Sequence, residues 1–140
     1  MKKLLRAILF LILTVSFSCE EQGWFVKCSD CVAEEPKRVD IKVKLSDLDI
    51  PVQVRVYEGE LEDNVVYDSA ITNGPEVTFS VSLNKLYTFT AVYSVYGNIY
   101  TAVDSANPKV KYTKDDCDDP CYFIYDKLAD LRLKYKAVGE

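Results

Sequence analysis

Four of the five cysteines fall in two close pairs, Cys28-Ser-Asp-Cys31 and Cys117-Asp-Asp-Pro-Cys121, while Cys19 stands alone upstream. Paired thiols at these spacings have three chemistries open to them. Four converging thiolates hold zinc, and CxxC is an acceptable half of such a site. A CxxC whose thiol pKa is lowered by a cation or a helix N-terminus exchanges disulfides. In an oxidising compartment the same residues form structural cross-links. Asp30 sits inside the first pair and Lys27 is its only adjacent cation, which argues against a reactive thiol. Haem attachment needs a histidine where Val32 stands.

Other catalytic chemistry is sparsely represented. The chain has no histidine, which removes the usual general base and the commonest metal ligand. Its five glycines are too scattered to cradle phosphate, and no GxSxG elbow occurs. Asp115, Asp116, Asp118 and Asp119 crowd the second cysteine pair and are candidate Ca²⁺ ligands. They lack the spacing and the glycine of an EF-hand loop, and a solvated acidic loop is the simpler reading. Of ten tyrosines, Tyr87, Tyr93 and Tyr135 fall on apolar phases, whereas Tyr57, Tyr96 and Tyr100 are candidates for exposure. Exposed tyrosines suit sugar stacking or protein contact. We expect no catalytic residues, no cofactor and no resident metal.

The N-terminus gives an address. Lys2, Lys3 and Arg6 precede an apolar run from Ala7 to Val15, the order of a secretory signal peptide. That run is too short for a membrane span, which takes about 20 residues. Ser16 and Ser18 fit small-x-small cleavage before Cys19. A cysteine in that place resembles the lipobox of bacterial lipoproteins, although Ser16 stands where leucine is usual and Phe17 where a smaller residue is. The resemblance implies acylation of Cys19, and Glu20 and Glu21 resemble the acidic signal that sends such lipoproteins to the outer face of the outer membrane. Cysteine parity agrees, since two pairs leave Cys19 over.

Removing residues 1–18 leaves 122 residues, enough for one domain and too few for two. Fourteen basic against twenty-two acidic residues remain, a formal charge of −8, which excludes nucleic acid as an expected partner. The division is a signal peptide at 1–18, an anchor spacer at 19–27 and a single domain at 28–138.

That domain reads as strands. Val39, Ile41, Val43 and Leu45 alternate with charges. So do Val52, Val54 and Val56; Val77, Phe79 and Val81; Tyr87, Phe89, Ala91, Tyr93 and Val95; and finally Ala129, Leu131, Leu133 and Tyr135 with polar neighbours. Shorter runs lie at Val65 to Tyr67, Ile99 to Val103 and Tyr122 to Tyr125, and turn residues punctuate them all. About seven or eight strands at this spacing predict an all-β, antiparallel sandwich of immunoglobulin or fibronectin type III kind. A two-residue turn at Gly97-Asn98 would pair Val95 with Tyr100 and Tyr93 with Ala102. The Ile99, Thr101, Val103 pattern competes with it, and alternation alone leaves the register open.

Export favours structural disulfides at Cys28, Cys31, Cys117 and Cys121 over zinc. Three pairings are open. The crossed ones close loops of about 90 residues and restrict the unfolded chain far more than local ones, so crossing is expected.

The combination of Trp24, Cys28 and Cys31 (W-x3-C-x2-C), Glu35-Pro36, Val54-x-Val56-Tyr57-x-Gly59, Ala102-Val103-Asp104, Cys117-x3-Cys121-Tyr122 and a closing Leu131-x-Leu133 is similar to that of small secreted Bacteroidota lipoproteins. The resemblance covers most of the mature chain. It implies a lipid-anchored β domain and imports no ligand. The resulting expectation is an outer-membrane surface lipoprotein, held by Cys19, that acts as a non-catalytic binding or accessory module for a protein or glycan. An exported thiol-redox protein using the CxxC and a carbohydrate-binding module are the alternatives.

Overall fold

The computed structural model describes residues 27–134; the signal peptide, Cys19, Glu20, Glu21, Trp24, Tyr135 and the domain limit at 138 lie outside them. Among the described residues the chain is all-β, with nine strands in three sheets and no α-helix. The strands are β1 (Arg38–Lys44), β2 (Val52–Glu58), β3 (Val66–Thr72), β4 (Glu76–Ser82), β5 (Tyr87–Val95), β6 (Asn98–Ala106), β7 (Lys109–Thr113), β8 (Cys121–Tyr125) and β9 (Leu128–Asp130). Single 3₁₀ turns cover Cys28–Asp30 and Leu61–Asp63. One sheet has the order β4-β1-β9, the second β3-β2-β5-β6, and β7 and β8 form a separate hairpin.

The period-two alternation places one row of each strand in a shared core. Ile41 and Val43 of β1, Phe79 and Val81 of β4 and Ala129 of β9 meet Val52, Val54 and Val56 of β2 and the buried row of β5. That row is Tyr87, Phe89, Ala91 and Tyr93, each fully buried. Polar links close both edges. On one side the Tyr67 hydroxyl donates to the Ser80 carbonyl (3.2 Å) and accepts from the Arg38 guanidinium (3.0 Å). On the other the Asp104 carboxylate accepts the Asp130 N–H at 2.7 Å.

Two expectations are corrected, and the open register between β5 and β6 is settled. The strands are not all antiparallel, because β9 runs parallel to β1. The last strand is also shorter than the run from Ala129 to Tyr135 suggests. Its final ladder bond, from the Leu131 N–H to the Lys44 carbonyl (2.9 Å), falls where β1 ends. Among the described residues no backbone pairs with the chain beyond that point, although Leu131 stays fully buried. The turn between β5 and β6 is Tyr96-Gly97, one residue earlier than Gly97-Asn98, and it pairs Tyr93 with Tyr100 and Ala91 with Ala102. Both turn residues have positive φ (+49° and +79°), as the right-handed twist of a tight hairpin requires. Tyr100 and Ala102 therefore face the core, and Ile99, Thr101 and Val103 face outward.

Candidate functional site

The cysteines make a clasp at the N-terminal end of the described chain. Cys28 bonds Cys117 and Cys31 bonds Cys121, with Cα separations of 5.7 and 5.6 Å and sequence separations of 89 and 90. The pairing is the crossed one. Cys28 and Cys31 flank a 3₁₀ turn, and Val32 exchanges two backbone hydrogen bonds with Tyr122 (2.9 and 2.8 Å). An ion pair from Lys127 to Asp30 (3.8 Å) adds a solvent-exposed contact. The N-terminal segment is thus fastened to β8. Within the hairpin the rings of Tyr112 and Tyr122 lie 4.9 Å apart, and the Lys111 ammonium sits 5.7 Å above the Phe123 ring.

The sulfurs of Cys31, Cys117 and Cys121 lie within 4.8 Å of one another, the one such set of three possible metal ligands among the described residues. All belong to disulfides, so no thiolate is present to bind a cation. Asp115, Asp116, Asp118 and Asp119 are exposed around Cys117, and no three of their carboxylates come within that distance. The Asp116 carboxylate instead accepts the Thr113 hydroxyl at 2.6 Å, which shapes the β7–β8 loop. The structure does not assemble these four aspartates into a Ca²⁺ site.

The tyrosines do not assemble into a platform either. Tyr96 projects at the β5–β6 turn, 73% exposed, but Tyr57 is buried and Tyr100 packs on the core. Tyr112 and Tyr125, about half exposed on the hairpin, were not distinguished by sequence, because both faces of that hairpin carry aromatic residues.

The remaining feature emerges only when the strands are placed side by side. On the outward face of the sheet β4-β1-β9, Asp40, Lys42, Lys44, Glu76 and Asp130 make a normally charged surface, with a Lys42–Glu76 ion pair at 3.4 Å. The outward face of β3-β2-β5-β6 differs. Its cross-strand rows read Ile71, Gln53, Val92, Thr101; then Ser69, Arg55, Thr90, Val103; then Val66, Tyr57, Thr88, Ser105; with Ser94 beside Ile99 at the end. Arg55 is the only charge in these rows, and among the described residues it has no ion-pair partner. Ile71, Ile99 and Val103 are 70%, 75% and 52% exposed.

Local structure sets which side chains this face carries. A bulge between Val56 and Tyr57 shifts the pairing with β3, so that Val66 stands outward beside Tyr57. Tyr67 turns inward, its ring 5.2 Å from that of Tyr87. The β2–β3 loop folds back at Gly59, whose carbonyl accepts the Thr88 hydroxyl at 2.7 Å. Gly59 has φ +89°, and a Cβ there would meet the Asp63 carboxylate at 2.9 Å, so the tight return needs glycine.

Compared with protein-family models, curated proteins and solved structures, the chain matches none.

Proposed function

We propose that this chain is a lipid-anchored outer-membrane surface protein that binds a protein partner, without catalysis, through the outward face of β3-β2-β5-β6. One observation carries the reading. In a chain with 28% charged residues, the outward rows hold a single charge, Arg55, beside exposed serines, Thr101 and the exposed aliphatic side chains Ile71, Ile99 and Val103, while Thr88, Thr90 and Tyr57 between them are buried. Depletion of charge at the centre, with one arginine, is the composition of a protein interface core. The face carries no platform of exposed aromatic rings, Tyr57 being buried, which favours a protein over a glycan. The crossed disulfides give Cys28 and Cys31 separate partners instead of one CxxC couple cycling between dithiol and disulfide, which weighs against net thiol-redox turnover.

The fold reading is a sandwich of immunoglobulin or fibronectin type III kind. In support, β3-β2-β5-β6 has the order of the C′-C-F-G sheet, and β1 beside β4 corresponds to strands B and E. In this reading β9 fills the edge that the first strand, A, occupies in those folds. The anchor is Cys19, with Glu20 and Glu21 as the surface-export signal and a nine-residue spacer that reaches about 30 Å at most. Two disulfides suit an oxidising space outside the cytoplasm. The domain accordingly works close to the membrane.

Photo-crosslinking in intact cells tests the binding face. A crosslinking side chain in place of Val103 should give a discrete protein adduct that Arg55→Glu abolishes, and one in place of Lys42, on the charged face, should give none. Identical adducts from both positions, or adducts indifferent to Arg55→Glu, would overturn the assignment.

A further inference from the structure

The two disulfides of the clasp lie against each other. Sulfurs of Cys31, Cys117 and Cys121 share a 4.8 Å neighbourhood although they belong to two different bonds, and Cys28 joins them through Cys117. Access to them is graded. Cys28 is exposed, Cys31 and Cys117 are half-buried and Cys121 is buried. Thiol–disulfide exchange goes by attack of a thiolate on an accessible sulfur, so an incoming thiol meets Cys28 first. Cys28 and Cys31 also flank one turn, closed by the Cys31 N–H on the Cys28 carbonyl (3.4 Å), which keeps the two together when their present partners leave.

We infer that the clasp is a thiol-reactive site, at which an external thiol opens Cys28–Cys117 and converts the crossed pairing into Cys28–Cys31 and Cys117–Cys121. The substrate class is a thiol, either small or carried by an exported oxidoreductase. In the first step the external thiolate bonds Cys28, and the electron pair of the broken bond leaves on Cys117. The Cys117 thiolate then attacks the neighbouring Cys121 sulfur, forming Cys117–Cys121 and expelling Cys31 as a thiolate. Cys31 attacks Cys28 in the mixed disulfide, forms Cys28–Cys31 and returns the external thiolate. Three sulfur–sulfur bonds form and three break, so nothing is oxidised or reduced and the thiol acts as a catalyst. Among the described residues, the product keeps the Val32–Tyr122 backbone pair and the Lys127–Asp30 ion pair to hold the N-terminal segment in place.

The test is peptide mapping of the non-reduced, folded full-length protein after incubation with a small fraction of an equivalent of glutathione under anaerobic conditions. Peptides linked Cys28–Cys31 and Cys117–Cys121 should appear while the free-thiol count stays constant and circular dichroism stays native. A second variant isolates the middle step. In Cys28→Ser the Cys117 thiol faces the intact Cys31–Cys121 bond, and mapping should find Cys117 joined to Cys121 with Cys31 free. Crossed pairs alone in the treated wild type, or a Cys28→Ser protein that keeps Cys31–Cys121 with Cys117 free, would overturn the inference.

Discussion

The hydroxyl of Tyr93, on β5, donates to the carbonyl of Leu131 at 2.7 Å, joining the four-stranded sheet to the chain just past β9. The same oxygen accepts the Ser46 N–H at 3.2 Å, and the Ser46 hydroxyl in turn accepts the Leu133 N–H at 2.8 Å. One buried phenol thus pins both the exit from β1 and the end of β9. Tyr93→Phe keeps the ring but strands a buried carbonyl, and should cost about 1–3 kcal/mol in urea melts near neutral pH.

Burial pushes the Tyr93 phenol above its usual value of 10.0, outweighing the hydrogen bonds from Ser46, which lower it. The folded state therefore holds this proton more tightly than the unfolded chain. The stability it contributes is complete below pH 10 and is lost as pH rises through the folded value. Wild-type protein should lose stability more steeply above about pH 10 than Tyr93→Phe, as measured by urea melts across that range.

Cleavage of the backbone after Lys85, without reductant, should leave the two fragments covalently joined, because both disulfides span that point. A reducing gel should separate them. Reduction of the uncut protein should also lower its stability by on the order of 4 kcal/mol, the chain entropy of a loop of about 90 residues. Equal stability of the oxidised and reduced forms would contradict the role given to the clasp.

Tyr96 adopts φ +49° in the β5–β6 turn, a conformation that costs an aromatic residue but suits asparagine before glycine. Tyr96→Asn should stabilise the domain by about 0.5–1 kcal/mol. Gly97→Ala, at φ +79°, should destabilise it by about 1 kcal/mol or more. Thermal midpoints of the two variants should move in opposite directions.

The proposed anchor makes its own prediction. Cys19→Ala should move the protein from the membrane fraction to the soluble one without altering its melting curve. Replacing Glu20 and Glu21 with alanine should retain membrane attachment but protect the protein from protease added to intact cells. Membrane retention of the Cys19→Ala protein with wild-type detergent partitioning would count against acylation.

Alternation made the long strands legible: Val39 to Leu45, Val52 to Val56 and Tyr87 to Val95 fall on β1, β2 and β5 with the expected rows buried. The edge strand β3 extends well past the run at Val65 to Tyr67, because Asp68, Ser69 and Thr72 give it no continuous apolar row. Direction was hidden too, since Ala129 and Leu131 are buried whichever way the strand runs, and only its neighbour makes it parallel. Crossing of the disulfides followed from loop entropy, which depends on sequence separation alone. The candidate face was out of reach for a different reason. Ile71, Gln53, Val92 and Thr101 come from four strands, and their shared lack of charge has no meaning until the order β3-β2-β5-β6 is known.

The placement of β9 also sets an order on folding. A chain that emerges from its N-terminus presents β1 early, with β4 available to cover one edge, but its other edge waits for residues 128–131. The clasp waits similarly, since Cys28 and Cys31 have no crossed partner until Cys117 and Cys121 arrive. Closing contacts across such sequence separations is slow relative to local structure. Through most of its emergence the nascent chain therefore carries a bare β1 edge and two clasp cysteines, Cys28 and Cys31, without their partners, a state open to strand addition by another molecule and to wrong pairing. Arrival of the last quarter of the chain ends both hazards together.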